Sequence, residues 1–433
     1  MRISGIRTMP MSFSPTMAAG APDRLLPPSV PFRFFGSAIL FNAAAWLALA
    51  LGDDPVTGYL GGKGPVLAAL HLLTLGVLAT TALGAAYQLL PMATARPVRS
   101  VRWSQASFWL FVPGVALFAS GLTVGERTLT HAGAVLLSSG LAVFVALTVD
   151  NLRGTADMPL VRRHVQLALV SLVAVVLLGL VLLSDFDHGL LPNHPSVAMV
   201  HMALAGYGFM GMLVMGFSTI LVPMLALAHA PDVRLGRWVL GLAASGLMLV
   251  LAGGVAGVRF ALPLAAIVGL AAGLLHVHAM AGVLKRRMRR RLGTSFVLIR
   301  VGWGFLIASL VLALALSLGA PLPPALLGVL LVPGWLLTTL FGFLQRIMPT
   351  LAQAHLSVPG ARVPLVSALT AETPLKVHAM SHLSAVALLA SATVLGSEVL
   401  VRLAAGGGLI AAIAFGFFAV ILFHRAGACR QGE

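Results

Sequence analysis

The stretch AALHLLTLGVLATTALGAAYQLLPM, residues 68–92, carries one imidazole, His71, in an otherwise apolar run. It is long enough to cross a hydrocarbon layer of ~30 Å as one helix, whose backbone groups are all satisfied within the segment. Comparable runs recur at 33–52, 66–92, 104–124, 129–149, 164–184, 195–228, 235–258, 261–284, 295–319, 325–353, 376–397 and 401–424. The expected fold is therefore all-α, a polytopic membrane protein of about twelve transmembrane helices. Composition points the same way: 59% of the 433 residues are hydrophobic and 9% are charged, where a soluble domain carries about 25% charged residues. The mean hydropathy is +1.00.

A net charge of +16 would point to nucleic acid in a soluble protein, but here its location decides the reading. Basic residues fill alternate loops: Arg96, Arg99 and Arg102; Arg153, Arg162 and Arg163; Arg234 and Arg237; Lys285 to Arg291; Arg362 and Lys376; and the tail at Arg425 and Arg430. The other loops are nearly balanced, with Asp53, Asp54, Lys63, Glu126, Arg127, Asp185, Asp187, Arg259, Glu398 and Arg402. The positive-inside rule then puts both termini in the cytoplasm. KRRMRRR, Lys285 to Arg291, reads as an anchor at the lipid headgroups, so the partner is the bilayer and not nucleic acid. The first 32 residues hold six prolines and three arginines and lack the apolar core of a signal peptide, so they read as a flexible cytoplasmic arm. The single cysteine, Cys429, lies in the tail at 426–433 and offers neither an internal disulfide nor a cysteine cluster.

The membrane portion, 33–425, contains an internal repeat. Span 2 ends in GAAYQLLP (Gly84 to Pro91), span 6 in GFSTILVP (Gly216 to Pro223) and span 10 in GFLQRIMP (Gly342 to Pro349), with the glycines 132 and 126 residues apart. Three four-helix units in tandem follow, at about 33–150, 164–285 and 295–425, arranged with pseudo-threefold symmetry. Glycine permits close helix approach, and proline relaxes the helix near its end.

Depth sorts the 13 histidines. His131, His188 and His194 fall at or outside the external boundary, and His164, His229, His355 and His424 at cytoplasmic ends, where imidazole reaches water. His71 and His201 lie deeper, 13 and 15 residues before the glycines of spans 2 and 6, while the same stretch of span 10, around Val329, has no histidine. An imidazole in lipid needs partners for its nitrogens. Either His71 and His201 ligate a metal or haem, or each bonds a nearby carbonyl or, for His71, Thr74. Met199 and Met202 flank His201 and are further candidate ligands. On the cytoplasmic side His276 and His278, two apart, point to different faces, while His378 and His382 share one face at i and i+4. These four form a candidate metal site of imidazoles suited to copper, zinc or iron, to be weighed against solvated helix ends. The methionines of span 6 read as adaptable packing or as copper(I) ligands. No aspartate, glutamate or lysine lies mid-membrane, which argues against a proton pump.

Twelve N-in helices in three four-helix arcs, with HLLTLGVLATTALGAAYQLLP opening on His71 in span 2 and His201 in span 6, resemble subunit I of the haem-copper oxidase and nitric oxide reductase superfamily. The chain looks closer still to that superfamily's small accessory members, the NnrS-like haem proteins linked to nitric oxide. The resemblance implies that His71 matches the haem-ligating histidine of helix 2, and His201 the copper-ligating histidine of helix 6. Span 7 (235–258) lacks the paired histidines of the copper site and span 10 (325–353) lacks the His-x-His that serves both haems, so the binuclear centre is incomplete. What remains is a reduced site, with His71 and His201, or Met202, on the two faces of one haem b, copper being the alternative cofactor.

The function expected on this basis is a haem-binding protein of the bacterial inner membrane, respiratory or nitric oxide related. Its partners would be respiratory-chain subunits or a small redox protein. The alternatives are a copper or haem transporter or assembly factor, and a cofactor-free structural subunit. Whether the chain is an enzyme stays open; if it is one, the resemblance makes it an oxidoreductase.

Overall fold

The computed structural model describes residues 25–53, 55–153, 158–357 and 363–431. Among them are 12 helices long and apolar enough to span a membrane. These are helix 1 (Ser29–Leu51), helix 2 (Pro65–Thr94), helix 3 (Val101–Val124), helix 4 (Arg127–Leu152), helix 5 (Pro159–His188) and helix 6 (His194–Ala226), followed by helix 7 (Val233–Gly254), helix 8 (Ala261–Lys285), helix 9 (Thr294–Ser317), helix 10 (Ala325–Leu356), helix 11 (Glu372–Leu395) and helix 12 (Glu398–Gln431). A one-turn helix, Val366–Leu369, links helices 10 and 11. The ends carry the expected signals. Asn193 and Asp232 cap helices 6 and 7 by accepting from Ser196 N and Arg234 N, and Gly125, Gly189 and Gly396 close helices 3, 5 and 11 at positive φ.

Two boundaries move. Helix 1 begins at Ser29, inside the expected arm, and the chain just before it is anchored, with Leu26 buried and its carbonyl 2.9 Å from His355 Nε2. Helix 12 continues to Gln431, through the expected tail. Most of the expected arm, with Arg2, Arg7 and Arg24, lies outside the described residues, as do Asp54 and Arg362.

The helices sort into an inner and an outer set. In the most apolar window of helices 2, 6 and 10, 72, 78 and 72% of the residues are buried by protein, against 22–44% in the other nine. The three inner helices therefore form the core, and the others wrap it with one face toward lipid. In each unit the third and fourth helices are tightly paired. Glycines allow this in helices 3 and 4, where a Cβ on Gly114 would meet Leu137 N and one on Gly140 would meet the Phe111 backbone. Helix 12 packs along helix 1 and closes the ring, with the Trp46 ring against Gly408.

The inner helices share a local geometry. Each opens as α-helix, turns π-helical over Leu72–Ala79, Leu204–Met210 and Leu330–Leu337, and resumes α-helix. The π segments begin 132 and 126 residues apart (204 − 72 and 330 − 204), the spacings of the glycine motif itself. A π turn shifts the backbone pairing and leaves a carbonyl to be satisfied. Thr80 Oγ1 takes the Leu75 carbonyl at 2.9 Å, and Thr338 Oγ1 takes that of Pro333 at 2.9 Å. These threonines are equivalent in the repeat, and helix 6 has Met212 at that position.

Each motif glycine then seats the inner helix on the first helix of its unit. A Cβ on Gly84, Gly216 or Gly342 would lie 2.7 Å from Phe34 Cβ, His164 Cβ or Ile299 Cγ1 respectively. Three units thus repeat one contact, with three different side chains across from the glycine.

Candidate functional site

The π segments lie in the first half of their helices, on the side away from the basic loops, and those of helices 2 and 6 both pack on that of helix 10. His71 is the residue just before the first π segment. Its Nδ1 lies 2.9 Å from the Leu67 carbonyl, and its ring meets the edge of Phe118 on helix 3 with centroids 5.2 Å apart. A carbonyl can only accept, so Nδ1 carries the proton and Nε2 is the lone-pair nitrogen. Thr74 is not the ring's partner, since its hydroxyl bonds Leu70 O at 2.9 Å. The carbonyl bond that a purely structural histidine would make is also the bond that fixes the tautomer of a metal-ligating one.

His201 lies three residues before the second π segment and leans on helix 5. A Cβ on Gly179 would sit 3.2 Å from its Cε1, the Val175 carbonyl is nearby, and Nδ1 has no hydrogen-bond partner among the described residues. The two rings face different neighbours: His71 meets helix 3 and His201 meets helix 5. Met202 is half-buried against the main core, and Met199 Cε approaches Gly254 on helix 7.

The four histidines nearer the basic face do not form one group. His276 is buried among helices 5 to 8 and His278 is exposed, as their spacing required. His378 and His382 lie apart from them in the third unit, and the expectation of solvated helix ends fails there. Both are 0% exposed, because helix 11 turns this face toward helices 10 and 12. His378 Nδ1 lies 3.0 Å from Ala411 O, and His382 Nε2 lies 2.8 Å from Thr338 Oγ1. Thr338 already donates to Pro333, so His382 Nε2 is the donor and its Nδ1 the bare nitrogen. His378 is left with a bare Nε2, and neither bare nitrogen has a hydrogen-bond partner among the described residues. The rings stack at 10° with centroids 5.8 Å apart, and Phe341 meets both edge-on at 4.5 and 5.5 Å.

His164, expected at a wet helix end, is also buried, at 1% exposure, with Nδ1 bonded to Leu160 O at 2.9 Å. Thr338, Phe341 and His164 were missed as members of buried clusters. The repeat register could have found Thr338, since Thr80 and Thr338 sit at equivalent positions of spans 2 and 10. Among the described residues no three His, Cys, Asp or Glu side chains gather to hold a metal ion.

On the face away from the basic loops an ion-pair cluster joins units 1 and 2. Asp187 takes Lys63 Nζ at 2.9 Å, Arg127 Nε at 3.2 Å and His131 Nε2 at 3.1 Å. Asp185 holds His194 Nδ1 at 2.6 Å and accepts from Leu191 N.

The chain is similar in fold to a solved structure, a haem-copper terminal oxidase dimer determined by cryo-EM, with a TM-score of 0.62, 12% sequence identity, and coverage of 93% of this chain and 84% of that one. At that identity the likeness establishes the fold: twelve helices arranged as in the membrane subunit of such an oxidase. No family model and no curated protein matches the sequence.

Proposed function

We propose that this chain is a haem-binding member of the haem-copper oxidase group, nearest in kind to the NnrS-like proteins linked to nitric oxide. It would lie in the inner membrane of a bacterium, with its basic face and both termini toward the cytoplasm. The observation that carries the reading is the His71–Leu67 bond: it locks Nδ1–H to the backbone and presents Nε2, the state required of an axial ligand. Haem, when bound, supplies a one-electron centre inside an apolar shell. The chain's own part is to hold Nε2 of His71 in place, to offer His201, or Met202, as the second donor, and to exclude water through the packed π segments.

Helix 7 has no histidine, helix 10 has only His355, one residue from its basic end and tied to Leu351 O and Leu26 O, and the described residues contain no three-donor metal group. We therefore assign the protein to electron transfer, or to binding and sensing of a small gas, and not to four-electron oxygen reduction. Respiratory subunits or a small redox protein are the fitting partners.

The test is the absorption spectrum of the purified protein. A sharp reduced α band that His71→Ala abolishes supports the reading; a colourless wild-type preparation overturns it. A second reading, a copper-handling factor, draws on the two bare nitrogens of His378 and His382. It requires copper in haem-free protein and loss of that copper in His378→Phe and His382→Leu.

A further inference from the structure

We infer that the basic half of the second unit holds a separate site for one soft monovalent cation, of the copper(I) class, built from His164, Met215, His276 and Met280. These residues line a cavity of about 10 Å³, together with Thr219 and Pro231, between helices 5, 6, 7 and 8. That is room for a single ion or water.

The repeat supplies the first argument. Across from Gly84 and Gly342 stand Phe34 and Ile299, but across from Gly216 stands His164. An apolar side chain serves this contact in two units of three, so packing alone does not call for an imidazole here. His164 Nδ1 is tied to Leu160 O, which leaves Nε2 as the lone-pair nitrogen.

The second argument comes from helix 8. His276, 3% exposed, makes no hydrogen bond with the described residues, and it lines the same cavity. Met280 follows it one turn later and shares its face, as Thr219 follows Met215 on helix 6. Two imidazoles and two thioethers thus border one small space from three helices.

Ligand chemistry sets the charge and class of the occupant. The cavity lining contains no carboxylate, so a divalent ion there would be left without compensation in a low-dielectric interior. Thioether and imidazole together select copper(I) over magnesium, calcium or zinc. The proposal is independent of the haem reading, because none of these side chains belongs to the His71–His201 end of the molecule.

The experiment is an anaerobic titration of the purified full-length protein with copper(I) against a chromophoric copper(I) chelator, followed by X-ray absorption of the loaded sample. Wild type should take up one more equivalent than His276→Leu or His164→Phe, the latter filling the place as Phe34 does in unit 1. Met215→Leu and Met280→Leu, which keep volume, should each weaken that equivalent by about tenfold or more, since losing even an outer-shell partner of a metal ligand costs about that much. The copper spectrum should show a shell containing both nitrogen and sulfur. His71→Ala should leave this copper in place, and the copper-site variants should leave any haem α band in place, so the two readings fail separately. Equal copper in wild type and His276→Leu, no copper in wild type (the result if the cavity holds only a bridging water), or a shell without sulfur overturns the proposal.

Discussion

Helix 2 and helix 10 have nearly the same backbone and different chemistry. Each turns π-helical at the same repeat position, and each satisfies the displaced carbonyl with a threonine, Thr80 or Thr338. Just before the π segment, however, helix 2 has His71 and helix 10 has Val329, buried in a satellite cluster of the core. In the third unit the imidazole arrives sideways instead, from His382 on helix 11 onto Thr338. The comparison teaches that the three units share the π-helical scaffold, while each carries its own arrangement of nitrogen donors.

The largest expected effect tests the scaffold. A leucine at Gly84, Gly216 or Gly342 should abolish folded protein, because even a Cβ there falls 2.7 Å from the neighbouring helix. Alanine at the same positions should cost about 1–3 kcal/mol each by overpacking, read as a lowered unfolding midpoint in detergent. Alanine at Gly304, which has nothing within 4 Å, should be neutral or better. Unequal losses across the three motif glycines would break the equivalence of the units.

The next effect separates helix 2 from helix 10. Thr338→Val strands both the Pro333 carbonyl and the His382 donor, whereas Thr80→Val strands only the Leu75 carbonyl. At about 1–3 kcal/mol per buried unsatisfied group, the helix 10 variant should lose roughly twice as much, and His382→Leu should reduce that excess. Thermal midpoints of the three variants and the double variant form the cycle.

The smallest effect lies in the ion-pair cluster away from the basic loops, where Asp187 is nearly covered but Arg127 and His131 are open to solvent. Asp187→Asn removes the anion that Lys63, Arg127 and His131 share. Its loss of stability should be slight and should fade as salt is raised, since screening already weakens such pairs. A loss that does not change with ionic strength would show that the cluster acts through packing instead.

The spans and the tripling were legible in the sequence because both rest on patterns along the chain: apolar length, and a glycine and proline at fixed register. The π segments were not, because they arise from how three inner helices meet, and no residue type announces them. Burial of the histidines was misread for a related reason. His378 and His164 are few residues from helix starts, and distance along a helix was taken for distance from water; the cover over them comes from helix 12 and helix 6, far away in sequence. That His276 and His278 lie on different faces was read correctly, since two residues apart on a helix fixes this whatever surrounds them, but the solvated helix end expected for His276 was not, for it is buried. His71 stood out as the one imidazole of its span, and its carbonyl partner was foreseen as one option; that this bond leaves Nε2 as the lone-pair nitrogen became visible only with its geometry.

The most direct test of the haem assignment is chemical rescue at one position. His71→Gly should yield protein whose reduced α band is lost and returns when free imidazole is added, because the ring site remains while its tether is gone. An α band that persists in His71→Gly without imidazole, or that imidazole cannot restore in haem-loaded protein, would contradict the assignment of His71 as the axial ligand.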